Sequence, residues 1–293
     1  FFAAVMFALH PLNSQTITTA IQLGVIMAGL FGLLAFKYFF RGISDAGKSN
    51  LLKSAVYFLL GILSKPNLIF LPVIFAINYK KINGNFYKRI KFLSIYILIL
   101  LIPIFYYFLF KRNIQYNKYP PIAYFLIQAE VLFTYFKLMV VPTGLKYFYD
   151  FNLPYNLESP FEIFFSINWL YMFAHLLIIV VAYFKLPSRL LWTLFLCFYL
   201  TFLPESSFFP INHLAFEHRT YFSLIFLSIF LGSWMIHLNL NATFKRLISI
   251  GTIAIGILYI ILNQGRNAEI KRWGTWAAHT LNHSVNHEYS NFS

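Results

Sequence analysis

Acidic residues are scarce in this chain: nine aspartates and glutamates stand against 23 lysines and arginines in 293 residues. Charged residues of both signs make up only 11% of it, against about 25% in a typical soluble domain. That shortage excludes an ordinary water-soluble fold. The single cysteine, Cys197, lies inside an apolar run, so neither an internal disulfide nor a thiolate-built metal site can form. Glycine-rich phosphate loops, GxSxG, CxxC and HExxH are all missing. The chain gives no soluble nucleotide site, so an activated donor is expected on a lipid rather than on a nucleotide. Strand-like alternation over ten-residue stretches is missing too, which leaves helices rather than a barrel to cross a bilayer.

What the chain does have is hydrocarbon. Apolar residues make up 59% of it and aromatic residues 21%, and the mean hydropathy is +0.67. The composition predicts an all-α, polytopic transmembrane helix bundle. A net charge of +14 would suit nucleic acid. Here, however, the basic residues flank apolar segments, so they read as a topology signal and no nucleic acid is expected.

The run before His10 is too short to cross, which reads as the end of a truncated helix closing near Leu9. Helices are expected over about Thr18–Phe40, Ser54–Leu63, Leu68–Asn78, Phe92–Phe110, Phe164–Phe184, Leu190–Leu203, Thr220–Leu238 and Leu247–Asn263. Pro66 forces the break between the second and third, because its ring cannot continue the preceding helix. Residues Pro121–Pro142 carry Gln128, Glu130 and Lys137, and this stretch reads as lying in the interface or packed on the bundle. The domains expected are residues 1–263 as the membrane part and 264–293 as a polar, helical tail.

With that segmentation, more than half of the lysines and arginines fall in four short loops: Lys37–Lys53, Lys80–Lys91, Lys185–Arg189, and Lys245 with Arg246. Asp45 is the lone acid among them. The positive-inside rule makes these loops cytoplasmic. The polar segments "HPLNSQ", "SKPN", "YDFNLPYNLESPFE" and "PESSFFPINHLAFEHR" then open to the periplasm or lumen.

The densest of these is "PESSFFPINHLAFEHR". An unpaired charge near lipid costs several kcal/mol, so Glu205, Glu217, His218 and Arg219 must either pair with one another or face a wet cavity. A plain reading is a Glu–Arg pair that caps helix ends. A functional one has Arg219 offering its planar fork of donors to a phosphate, with His218 beside it and Lys65 of "SKP" as a second cation. Glu205 and Glu217 are the candidate proton acceptors. His10, Gln15, Gln22 and Asp150 are candidates to line the same cleft, though a lone His at a helix end is usually a cap and Asp150 could belong to an aromatic belt. His279, His283 and His287 recur every fourth residue, a spacing that can bind zinc, but the run reads as the start of a polar tail and no metal site is assigned.

The order "FALHPLNSQTITTAIQ", "LLGILSKPNLIFLPVIF", "YFLIQAEVLFTYFKLMVVPTGLKYFYDFNLP" and "LTFLPESSFFPINHLAFEHRTYFS" resembles bacterial membrane proteins with C-terminal tetratricopeptide repeats. These are similar to the transmembrane and tetratricopeptide-repeat O-mannosyltransferases of the GT-C glycosyltransferase class. The resemblance spans nearly the whole chain, and "GRNAEIKRWGTWAAHTLNH" looks like the linker into the repeats. It implies a GT-C-like bundle in a bacterial inner membrane. The implied chemistry moves a sugar from a polyprenyl-phosphate carrier to an acceptor protein's hydroxyl on the periplasmic side, with a divalent metal as an optional helper. The family's catalytic acid belongs in an outer loop expected ahead of Phe1. The chain departs from the family where Leu23 follows Gln22, since bacterial relatives tend to have arginine there. It departs again at Gln15, where animal relatives tend to have glutamate. A non-enzymatic scaffold presenting a repeat domain to partners is the alternative reading.

Overall fold

The structure is a computed structural model, and it describes residues 1–44, 48–79, 93–102, 105, 120–146, 149, 151, 166–207, 210 and 214–290, with side chains as far as residue 272. Its described residues form helices and connecting turns, with no strand among them. In chain order the helices are α1 (Phe2–Ala8), α2 (Ser14–Thr18), α3 (Leu23–Ser44), α4 (Lys48–Ser64), α5 (Leu71–Tyr79), α6 (Leu93–Ile102), α7 (Pro121–Val140), α8 (Asn168–Lys185), α9 (Arg189–Leu200), α10 (Thr220–His237) and α11 (Ala242–Ser290). One-turn 3₁₀ segments at Pro11–Asn13, Ala20–Gln22, Pro66–Phe70 and Glu217–Arg219 lead into the helices that follow them.

Five stretches among the described residues are long and apolar enough to cross a membrane: Ala20–Ser44, Pro121–Val140, Asn168–Lys185, Glu217–His237 and Ala242–Arg272. In α8 only 11% of the most apolar window is buried, and Leu170, Phe173, Leu177 and Phe184 point outward. A helix that exposes so much hydrocarbon is stable only with lipid around it. The protein is therefore a multi-pass membrane protein.

Several expected boundaries shift. The helix expected from Thr18 starts at Leu23, because the chain breaks into two short turns before it. The piece expected at Ser54–Leu63 begins six residues earlier, at Lys48. Its exposed N-terminal turns are polar, so an apolar count overlooks them. The tail expected to begin at 264 is instead continuous with the last membrane helix, as α11 has no break at that point. Residues 103–104 and 106–119 of the expected Phe92–Phe110 helix and its exit, the loop 80–92, and Asp150 lie outside the described residues.

The α3–α4 hairpin is held at close range. A Cβ on Gly42 would come within 2.6 Å of Leu51, and one on Gly24 within 2.9 Å of the Ser64 carbonyl. Rings fill the space behind it. Phe39 stacks on Phe75 at 4.1 Å, and Tyr96 meets Phe75 at 5.1 Å. The Tyr96 hydroxyl donates to Ser54 Oγ (2.9 Å), which in turn donates to the Ala35 carbonyl (2.8 Å), so this buried polar chain is satisfied. At the basic end, Lys37 and Lys53 share the face of Tyr38.

α7 is placed by its bonds. Near its start, the Tyr124 hydroxyl donates to the Glu205 carbonyl (2.6 Å). Three turns on, the Tyr135 hydroxyl donates to the Phe216 carbonyl (3.0 Å) and accepts from the Phe216 N–H (2.9 Å). At its close the Met139 carbonyl accepts from His10 Nε2 (3.0 Å). Both ends of α7 are thus fastened to connectors between other helices, near its start to Glu205 and at its close to His10.

Candidate functional site

The site forms where α4, α9 and α10 end or begin. Lys65 is the extended residue that precedes the Pro66 turn, and the proline ring fixes the direction its side chain leaves the helix. From there Lys65 Nζ lies 3.6 Å from Glu205 Oε1, and the Asn67 amide donates to the same oxygen at 2.6 Å. Arg219 Nε lies 2.9 Å from Glu205 Oε2, a close ion contact rather than an aligned hydrogen bond. Its Nη1 donates to the Leu214 carbonyl (3.0 Å), which also accepts from Gln128 Nε2 (3.0 Å). Two cations therefore converge on one carboxylate, leaving one surplus positive charge.

Burial raises the Glu205 pKa, but Arg219 and then Lys65 outweigh it, so the carboxyl is held ionised below its ordinary value. Burial pushes the Lys65 ammonium down, opposed by Glu205. A carboxylate that faces two cations and accepts from an amide is a poor proton acceptor. Lys65 keeps 22% side-chain exposure, Glu205 14% and Arg219 4%. Lys65 is thus the side chain through which the cluster meets its surroundings.

Glu217, the other acid of the connector, is fully enclosed. Both its oxygens accept from Arg266 Nη2 at 3.0 Å, and the Tyr149 hydroxyl donates to Oε1 at 2.9 Å. It is fixed as one half of an ion pair. Arg266 also donates from Nη1 to the Leu145 carbonyl (3.0 Å) and to Glu269 (3.1 Å). Sequence reasoning overlooked Arg266, because it sits in a polar stretch that reads as a linker; only its position one turn beyond the apolar part of α11 could have hinted at it.

The remaining expected residues divide. Gln15 is brought in: its Oε1 accepts the His218 backbone N–H (3.2 Å). The His218 ring stacks on Phe216 at 5.1 Å, beside the cation cluster. His10 is a cap and a brace, its Nδ1 accepting from Leu12 N–H (3.3 Å) while Nε2 holds Met139. Burial lowers its pKa from 6.5 to about 4, so it is neutral. Gln22, half-buried before α3, makes none of these bonds. Among the described residues no three His, Cys, Asp or Glu side chains gather closely enough to hold a metal.

Beside the cluster, α7, α8 and α9 enclose a groove of about 330 Å³. Its polar groups are spent on the protein itself. His175 Nε2 is bonded to the Ala129 carbonyl (3.0 Å) and Nδ1 to the Tyr199 hydroxyl (3.2 Å), while Ser206 donates to Gln128 (2.8 Å). What it offers a ligand is almost wholly hydrocarbon, from Phe125, Leu132, Leu176 and Leu200. Ser206, at its edge, is the residue after Glu205.

Comparison with known proteins finds no matching family model, no matching curated protein and no matching solved structure.

Proposed function

We propose that this chain belongs to an integral membrane glycosyltransferase of GT-C type, which moves a sugar from a polyprenyl-phosphate carrier to a hydroxyl of an acceptor protein. One observation carries the reading: Lys65 and Arg219, distant in sequence, meet on Glu205 next to an apolar groove. Cations beside hydrocarbon suit a ligand with an anionic head and a long apolar tail. The phosphate would take Lys65 in part from Glu205, and Arg219 would stay anchored through Leu214. As the sugar C1–O bond breaks, the electron pair stays on the phosphate oxygen, where the two cations stabilise it. The new C1–O bond forms to the acceptor oxygen, whose proton passes to a base. Glu205 and Glu217 are poor candidates for that base, being held by Lys65 and Arg219 and by Arg266 respectively. On this reading the positive-inside rule assigns the basic loops to the cytoplasm, and the cluster would face the periplasm.

A second reading is favoured by the ion pairs themselves. Glu205 and Glu217 already fasten helix ends together without any ligand, as a scaffold presenting a downstream domain would need. Binding of a polyprenyl monophosphate to the reconstituted protein separates the two. On the transferase reading, Lys65→Ala weakens that binding about tenfold, since one charge-assisted contact is lost, and leaves the unfolding midpoint in place. No binding to the unmodified protein would favour the scaffold.

A further inference from the structure

The Glu205 cluster lies beyond one end of α9; the other end carries a different feature. Where α8 turns into α9, an open cavity of about 540 Å³ lies against the end of α5, walled by Ile77, Tyr183, Phe184, Pro187, Arg189 and Trp192. Two bonds fix the helices around it. Arg189 Nη2 donates to the Ile77 carbonyl, in the last turn of α5, where carbonyls run out of helical partners. One turn along α9, Thr193 Oγ1 donates to Asn78 Oδ1 (3.2 Å). The Arg189 guanidinium is exposed, and its other donors have no partner among the described residues.

The charge here is all of one sign. Lys185 ends α8 four residues earlier and is exposed. The sequence has no Asp or Glu at positions 46–129 or 163–204, so α5, α8 and α9 carry no acid of their own. Neither Lys185 nor Arg189 forms an ion pair among the described residues, whereas Lys65 and Arg219 share Glu205. Two such cations side by side attract an anion.

The walls narrow the kind of anion. Tyr183 meets Trp192 edge-on at 5.3 Å and Phe184 at 5.2 Å. Tyr183 is 61% exposed and Phe184 74%, so they continue the outward face of α8 that only hydrocarbon can cover. Tyr and Trp rings take such positions at the headgroup level of a bilayer. A free phosphate would leave these rings wet, and a zwitterionic headgroup would bring an ammonium up to two cations. An anionic phospholipid meets both demands, as in other basic pockets between membrane helices. We propose that the α8–α9 turn holds one anionic phospholipid, its phosphate on Arg189 with Lys185 beside it and its chains along the outward face of α8. The site stands whether or not the chain is a transferase, and the positive-inside rule decides only which leaflet supplies the lipid.

The test places the full chain in phosphatidylcholine nanodiscs with a trace of photoactivatable phosphatidylglycerol, its reactive group next to the glycerol. A parallel set carries phosphatidylcholine with the same reactive group. Phosphatidylglycerol should label the α8–α9 turn about tenfold more than phosphatidylcholine does. Arg189→Gln keeps a donor for the Ile77 carbonyl but loses the charge, and it should cut that labelling about tenfold. Lys185→Gln removes a cation that makes no bond among the described residues, so it spares the fold. It should cut labelling about fivefold. Lys65→Ala should leave labelling unchanged, because that cation lies beyond the other end of α9. Equal labelling by the two lipids, full labelling of either glutamine variant, or loss of labelling in Lys65→Ala overturns the proposal. Displacement of the lipid by inorganic phosphate would also overturn it, by showing a site for a free anion.

Discussion

Two glutamates bracket one connector, and they have opposite surroundings. Glu205 faces two cations and is partly exposed, so the group as a whole is positive and reaches the surface. Glu217 faces one arginine that it shares with Glu269, is fully enclosed, and leaves the group negative. The residue types are the same. What separates an open site from a lock is which charge is in excess and whether water or lipid can reach it.

The comparison can be broken at the lock first. Arg266→Met leaves Glu217 buried without its partner, and such losses cost about 3–5 kcal/mol. The unfolding midpoint should fall sharply in a thermal melt, whereas Lys65→Ala should barely move it. Equal losses in both would mean that the two groups are equally structural.

Acid distinguishes the groups next. His10 is neutral when folded, with its pKa lowered from 6.5 to about 4, so the unfolded chain binds more protons in that interval. Stability is therefore full above pH 6.5 and falls as pH drops toward about 4, by about 3 kcal/mol in all. His10→Asn should remove that dependence. Glu205, whose folded pKa lies below the ordinary 4.5, contributes stability that is complete above that value and lost only as pH falls through the lower, folded one. The brace on α7 should loosen before the cation cluster does, as amide hydrogen exchange at α7 across that range would reveal.

The smallest expected effect is the sharpest. Glu205→Gln frees Lys65 and Arg219 from their carboxylate, and binding of polyprenyl monophosphate should tighten by about tenfold. If Glu205 were instead the proton acceptor, binding would stay the same and only sugar transfer would fall.

Much of the cation cluster was legible because its chemistry is local. Pro66 after Lys65 dictates a break, and "PESS" and "EHR" place charge where apolar helices must stop. Burial without a partner is too costly for such groups to stay apart. Arg266 was not legible, since its partner is 49 residues away on another helix and nothing in "NQGRNAE" distinguishes a structural arginine from a solvated one. Tyr124, Tyr135 and His175 were hidden for a related reason: among so many aromatics, the few whose polar atoms hold a backbone carbonyl have no sequence mark. Their role emerges only from which carbonyls α7, α9 and the connector leave open.

α11 continues without a break through 49 residues, a length of about 74 Å at 1.5 Å per residue. Glu217 opens the same one-turn segment that ends in Arg219, so its pair with Arg266 ties the last helix of the bundle directly to the turn on which the cations meet.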